Sequence, residues 1–142
     1  MTKTKRYNLI NNALGWLCFV IAAVCYLLTI EPTASFWDCP EFISQGYKLE
    51  VGHPPGNPIF MLTARFFINF VGNDPGSVAW AVNSMNALLS AATILLLFWT
   101  ITHLMRRLLN GYKAIDTISA AQQVVIFGAG MVGALAYAWS DT

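Results

Sequence analysis

The sequence predicts an all-α membrane protein with three transmembrane helices and two short interfacial helices in the first outer loop. Of its 142 residues, 56% are hydrophobic and 11% are charged, against about 25% charged residues in ordinary soluble domains. Apolar runs long enough to cross a bilayer occur three times. With a net charge of +1, the composition excludes an ordinary soluble enzyme, a disordered segment and a nucleic-acid-binding domain, which needs a basic face.

Three apolar runs define the predicted transmembrane helices, at residues 12–30, 77–104 and 120–139. A helix of about 20 apolar residues crosses a bilayer core of about 30 Å. The loops between the runs cover residues 31–76 and 105–119. A cleaved signal peptide is the alternative for the first run, because a basic segment precedes it. The run is long for a signal peptide and no small-residue cleavage motif follows it, so we expect an uncleaved anchor.

The basic residues favour one orientation in the membrane. They stand before the first run and after the second: Lys3, Lys5, Arg6, Arg106, Arg107 and Lys113. The loop 31–76 instead carries five acidic residues and two basic ones. Because cytoplasmic loops are enriched in Lys and Arg, we expect a cytoplasmic N-terminus. The loop 31–76 and Asp141 would then lie on the outer face.

Two short helices are expected within the outer loop, at about residues 38–49 and 58–71. The second has Pro at its start, where it is tolerated, and Gly72 after its end, where Gly favours a stop. Its length of about 21 Å is too short to span a bilayer comfortably, so we interpret it as interfacial or re-entrant. Arg65, midway along it, would either snorkel to headgroups or face a polar cavity.

Asp38 and Glu41 are the candidate catalytic residues. They are three positions apart, so on a helix both side chains share a face, and the aromatic Trp37 lies beside them. A carboxylate in such a place can act as a general base. The same spacing is also a capping box, with Asp38 at the N-cap and Glu41 at the third helical position. Spacing alone supports the two roles equally, and they are compatible.

Four other polar residues are candidates for substrate binding, each with a structural alternative. His53 precedes two prolines and fits either a tight turn or a catalytic role. Asn83 and Asn86 share one face of the second span, where amides either join helices or contact a substrate. Asp141 lies on the same side as Asp38, with capping or interfacial hydration as its alternative.

Two further patterns are interpreted as structural. Gly128, Gly130 and Gly133 match a dinucleotide-binding fingerprint, but the apolar run continues past them without the βαβ unit that this fingerprint requires. We expect close helix packing there instead. The three cysteines lack the spaced Cys or His partners of a metal site, so no metal ligands are predicted.

Three segments together resemble a known membrane family. They are TASFWDCPEF at residues 33–42, GHPPGNP at residues 52–58 and YAWSDT at residues 137–142. The family is a multi-span bacterial group of unassigned function, whose animal relatives are transmembrane protein O-mannosyltransferases of the GT-C glycosyltransferase class. The resemblance implies the N-terminal part of a GT-C-like fold in the bacterial inner membrane. Because family members are much longer, we expect a fragment that is inactive alone.

The resemblance also implies a reaction, in which a sugar moves from a polyprenyl-phosphate carrier to a hydroxyl acceptor, such as a protein Ser or Thr, on the outer face. It implies a lipid-linked donor, no covalently bound cofactor, and membrane lipids as neighbours. Asp38 would be the base and Glu41 would orient it, while Arg65 or His53 would offset charge on the phosphate. The aromatic surface around Trp37 would hold a protein acceptor. A transporter or channel segment and a non-catalytic assembly subunit are the alternatives, although the spans lack the carboxylates that a transporter uses.

Overall fold

A computed structural model describes residues 2–52, 56–72 and 74–140. Within these ranges the chain is helical and contains no strand. The α-helices are α1 (Lys3–Thr29), α2 (Cys39–Lys48), α3 (Pro58–Ile68), α4 (Pro75–Asn110) and α5 (Ala120–Ala138). Short 3₁₀ turns follow α3 at Asn69–Val71 and precede α5 at Ile115–Thr117. The predicted all-α class is confirmed.

Three helices, α1, α4 and α5, are long and apolar enough to cross a membrane. The chain is therefore an integral membrane protein, as predicted. α1 and α4 extend beyond the predicted apolar runs at their basic ends, because Lys and Arg are good helix formers and do not interrupt a helix that leaves the bilayer. The segment Pro58–Val71 is also apolar but shorter. Its position at the membrane surface stays a prediction.

The chain forms two compact units. One unit, Tyr26–Leu89, is called the loop unit below. The other combines Met1–Cys25 with Ser90–Thr142 and is called the bundle unit. Each unit has its own buried apolar residues, so each is described separately.

The loop unit packs α2 and α3 on the start of α4. Its buried core comprises Ile43, Ala64, Ile68, Val78, Ala81, Val82 and Met85. A Cβ added to Gly46 of α2 would lie 2.9 Å from the Cβ of Ala64. The missing side chain at Gly46 therefore permits the close approach of α2 and α3.

The bundle unit packs its helices through small residues against large buried ones. A Cβ added to Gly130 of α5 would lie 2.6 Å from Thr102 Cγ2 and 2.9 Å from Phe98 Cε2. α5 runs without a break through the three glycines of the dinucleotide-binding pattern, so this pattern is part of a helix. At the start of α5, Ser119 and Gln122 form a capping box, which satisfies two backbone N–H groups.

Candidate functional site

An open cleft of about 520 Å³ lies within the loop unit. Four of the eight predicted site residues line it, namely Trp37, Asp38, Asn83 and Asn86. Most of the remaining wall is apolar and includes the rings of Phe42 and Phe60, whose centroids are 5.7 Å apart in an edge-to-face arrangement. The cleft therefore combines one carboxylate and three amides, those of Asn57, Asn83 and Asn86, with aromatic surface.

Asp38 occupies the N-cap position of α2 without using its side chain as a cap. Its backbone carbonyl accepts a hydrogen bond from the Phe42 N–H at 3.0 Å. Its side chain makes no capping hydrogen bond, and the residue is exposed. The capping box that the spacing allowed is therefore not formed. Asp38 instead belongs to the lining of the cleft.

The segment before Asp38 has an unusual backbone conformation. Trp37 has φ = 62°, in the left-handed region that costs a residue with a Cβ about 1–2 kcal/mol. Its side chain is 95% exposed, and that of the preceding Phe36 is 87% exposed. The turn thus places two aromatic rings at the rim of the cleft immediately before the carboxylate.

Asn83 anchors this segment to α4. Its Nδ2 donates hydrogen bonds to the carbonyl oxygens of Glu31 at 2.8 Å and Thr33 at 3.0 Å. The sequence offered helix–helix contact or substrate contact for this amide, and the structure shows a third role, because the amide joins a helix to a loop. Asn86, one turn later, is exposed and lines the cleft.

Glu41 is not among the described residues that line the cleft. Its Oε1 accepts a hydrogen bond from Nε2 of the buried Gln45, four residues later on α2. Gln45 was missed by the sequence reasoning, although Glu and Gln four apart on a helix are natural partners. A Cβ added to Gly52 would lie 2.3 Å from Gln45 Oε1, so this amide packs on the loop that follows α2. The role of Glu41 in orienting Asp38 stays a prediction.

The remaining predicted site residues lie apart from the described walls of the cleft or outside the described ranges. Arg65 donates from Nη1 to the carbonyl oxygen of Tyr47 at 2.7 Å, and its guanidinium lies 5.6 Å from the centroid of the Tyr47 ring. It therefore ties α3 to α2. His53 and Asp141 lie outside the described residues. Among residues 2–52, 56–72 and 74–140, no three His, Cys, Asp or Glu side chains are grouped to hold a metal ion.

Comparison with known proteins identifies the family. A family model described as "Protein O-mannosyl-transferase TMEM260 N-terminal domain" matches residues 38–142, which is well over half of the chain, and the match begins at Asp38. The chain belongs to this family. The resemblance to protein O-mannosyltransferases that the three sequence blocks indicated is confirmed, while the bacterial origin stays a prediction.

Two relatives show how much of the family protein is represented. The chain is 36% identical over 86 residues to the mouse protein named "Protein O-mannosyl-transferase TMEM260", which is 61% of this chain and 12% of that protein. It is 27% identical over 85 residues to the Dictyostelium discoideum protein of the same name, which is 60% of this chain and 10% of that protein. The chain thus spans about a tenth of the length of these curated relatives. No solved structure matches it significantly.

Proposed function

We propose that this chain forms the N-terminal part of a membrane glycosyltransferase that transfers a sugar, mannose by analogy with its relatives, from a polyprenyl-phosphate carrier to a protein Ser or Thr hydroxyl. Family membership and the relatives' printed names support the reaction class. The observation that carries the proposal is that Asp38, whose side chain does not cap α2, lines a cleft with aromatic residues in its wall. The hydroxyl of a Ser or Thr acceptor is a weak nucleophile while it is protonated. A carboxylate beside it can act as the general base that removes the proton.

In the proposed reaction, one proton is transferred, one bond forms and one bond breaks in the cleft. The acceptor oxygen attacks the anomeric carbon of the sugar while Asp38 takes the hydroxyl proton. The bond between that carbon and the carrier phosphate breaks, and the phosphate leaves with the electron pair. Asn83 holds the segment before Asp38 in place through its two hydrogen bonds. The exposed rings of Phe36 and Trp37 would contact the peptide that carries the hydroxyl.

The exposed face of α3 supports a donor that resides in the membrane. Ile59, Leu62 and Phe66 of α3 recur at helical spacing with Phe70 of the 3₁₀ turn that follows, and they are 80%, 64%, 59% and 73% exposed. The opposite face of the same helix is buried at Met61, Ala64 and Ile68. A helix that is apolar on its outward face as well as its inward face is suited to contact with lipid. A polyprenyl carrier in the same leaflet would reach a cleft built beside it.

The charge on the leaving phosphate needs a partner that the described cleft does not supply. Arg65 does not belong to the described wall of the cleft and donates to the Tyr47 carbonyl, so we assign this role to His53, the other candidate from the sequence. Both this role and that of Asp141 stay proposals.

A transfer assay with the full-length protein in membranes tests the proposal. We expect labelled mannose to move from polyprenyl-phosphate mannose, but not from a nucleotide sugar, to a Ser/Thr-containing acceptor protein. Asp38→Asn should lower the rate at least about 100-fold, the usual contribution of a general base. Glu50→Gln is the matched control, because Glu50 is exposed in the same unit and pairs with Lys48. Transfer that needs only the nucleotide sugar would contradict the lipid-linked donor.

The proposed sidedness, with the N-terminus cytoplasmic and the cleft on the outer face, has its own test. Lys48 and Tyr112 are both exposed. A single cysteine introduced at either position, in a protein with Cys18, Cys25 and Cys39 replaced by Ala, is therefore accessible to a membrane-impermeant thiol reagent. We expect labelling from outside intact cells at position 48 and none at position 112. The reverse pattern would place the cleft in the cytoplasm.

A further inference from the structure

A second cavity, of about 260 Å³, lies within the bundle unit and shares no residue with the cleft. Most of the residues in its wall are polar. Three asparagines of α1, Asn8, Asn11 and Asn12, face His103 and Arg106 of α4 across it. Polar side chains between membrane-crossing helices normally face one another or a ligand. The proposed reaction does not involve these residues, so it does not explain the polar lining of this cavity.

Two polar atoms in this wall have no hydrogen-bond partner among the described residues. They are Asn11 Oδ1, an acceptor, and Trp99 Nε1, a donor, and both are buried. The hydroxyl of Thr102, which also lines the cavity, donates to the Trp99 carbonyl at 3.1 Å and so satisfies neither atom. Buried polar groups are normally paired. The packing around this cavity thus leaves one acceptor and one donor unsatisfied.

The charge around the cavity is positive. Arg106 belongs to its wall, and a neighbouring cavity in the same unit is lined by Lys3 and Arg6. Among the described residues, no acidic side chain lines either cavity. Asp116 follows the lining residue Ile115 in the sequence, but its carboxylate accepts a hydrogen bond from Thr4 Oγ1 and does not line the cavity. Basic pockets between membrane helices attract anionic lipid headgroups.

We propose that this cavity binds the headgroup of an anionic phospholipid that carries hydroxyl groups, of the phosphatidylglycerol type. The phosphodiester accepts hydrogen bonds from the Arg106 guanidinium and the asparagine amides, and a headgroup hydroxyl donates to Asn11 Oδ1. The volume is below the roughly 300–1,000 Å³ of sites that enclose a whole small molecule, so it fits a headgroup whose acyl chains remain in the bilayer.

Native mass spectrometry of the full-length protein, released from nanodiscs that contain equal amounts of phosphatidylglycerol and phosphatidylcholine, tests the proposal. We expect retained phosphatidylglycerol, with a reduction of about fivefold in Arg106→Gln, as one basic contact contributes near a membrane surface. Arg107→Gln is the matched control, because Arg107 stacks on Tyr112 with its guanidinium 4.3 Å from the ring centroid and does not line the cavity.

Two further measurements distinguish a bound phosphatidylglycerol headgroup from other ligands. Asn11→Leu should reduce the preference for phosphatidylglycerol over phosphatidylcholine, because phosphatidylcholine offers no headgroup hydroxyl, while the part of the preference that depends on the charge of Arg106 should remain. An excess of inorganic phosphate should leave the retained lipid in place. Equal lipid retention in Arg106→Gln and Arg107→Gln, or displacement of the lipid by inorganic phosphate, would overturn the proposal.

Discussion

The bundle unit and the loop unit hold their helices together by different means. In the bundle unit, Gly130 brings its helix against Phe98, which is fully buried. In the loop unit, Asn83 and Arg65 additionally bind backbone carbonyls of neighbouring segments. The first kind of contact depends on volume and the second on hydrogen-bond donors. Substitutions that remove a donor should therefore act mainly in the loop unit. Substitutions that change volume should act in both units, since Gly46 permits a close approach of α2 and α3.

The largest expected effect is a loss of stability in Gly130→Leu. Its Cβ would overlap Thr102 and Phe98, which are 2% and 0% exposed and have no room to move. Overpacking typically costs about 1–3 kcal/mol, and we expect the upper end of this range here. Gly128→Leu is the matched control, because no atom lies within 4 Å of a Cβ at Gly128. Thermal denaturation in detergent should separate the two variants, and equal midpoints would contradict packing through Gly130.

Asn83→Ala should lower the free energy of unfolding by about 2 kcal/mol, at about 1 kcal/mol for each of its two hydrogen bonds. Transfer should fall about tenfold or more in the full-length protein, since the segment before Asp38 loses its anchor. Asn86→Ala, three residues along the same helix, should leave stability within about 0.5 kcal/mol. A stable Asn83→Ala variant with unchanged transfer would show that the loop does not depend on this amide.

Arg65→Lys should cost about 1 kcal/mol of stability, because Lys cannot reproduce both the hydrogen bond to the Tyr47 carbonyl and the stacking on the Tyr47 ring. Transfer per folded molecule should be unchanged, since Arg65 does not belong to the described wall of the cleft. A loss of transfer at unchanged stability would instead support the phosphate-binding role predicted from the sequence.

The smallest effect has the opposite sign. Trp37→Gly should raise the free energy of unfolding by up to about 1 kcal/mol, because glycine adopts the left-handed conformation without the penalty that a Cβ brings. The exposed indole contributes little burial that would be lost. The KM for a protein acceptor should rise in the same variant, whereas Trp37→Phe should keep both values near those of the unmodified protein. A destabilised Trp37→Gly variant would contradict backbone strain at this position.

Local patterns in the sequence predicted the helices well. Hydropathy depends on neighbouring residues, so the three apolar runs and the stop at Gly72 could be placed without knowledge of the fold. The ends of the spans were less predictable, because a helix that leaves the bilayer can continue through basic residues, as α4 does to Asn110.

Side-chain partners at the site were less predictable, because they depend on residues distant in sequence or on competing neighbours. Asn83 reaches carbonyls about 50 positions away, which no local pattern encodes. The spacing of Asp38 and Glu41 implied a shared face, but the amide of Gln45 engages Glu41. The separate polar cavity likewise arises from two helices that are far apart in sequence.

The most direct measurement compares stability and transfer in Asp38→Asn of the full-length protein. Because the Asp38 side chain does not cap α2, the account predicts a denaturation midpoint close to that of the Glu50→Gln control, with transfer per folded molecule lowered at least about 100-fold. A lowered midpoint with normal transfer per folded molecule would show that Asp38 only supports the helix, and the cleft would then lose its assignment as the catalytic site.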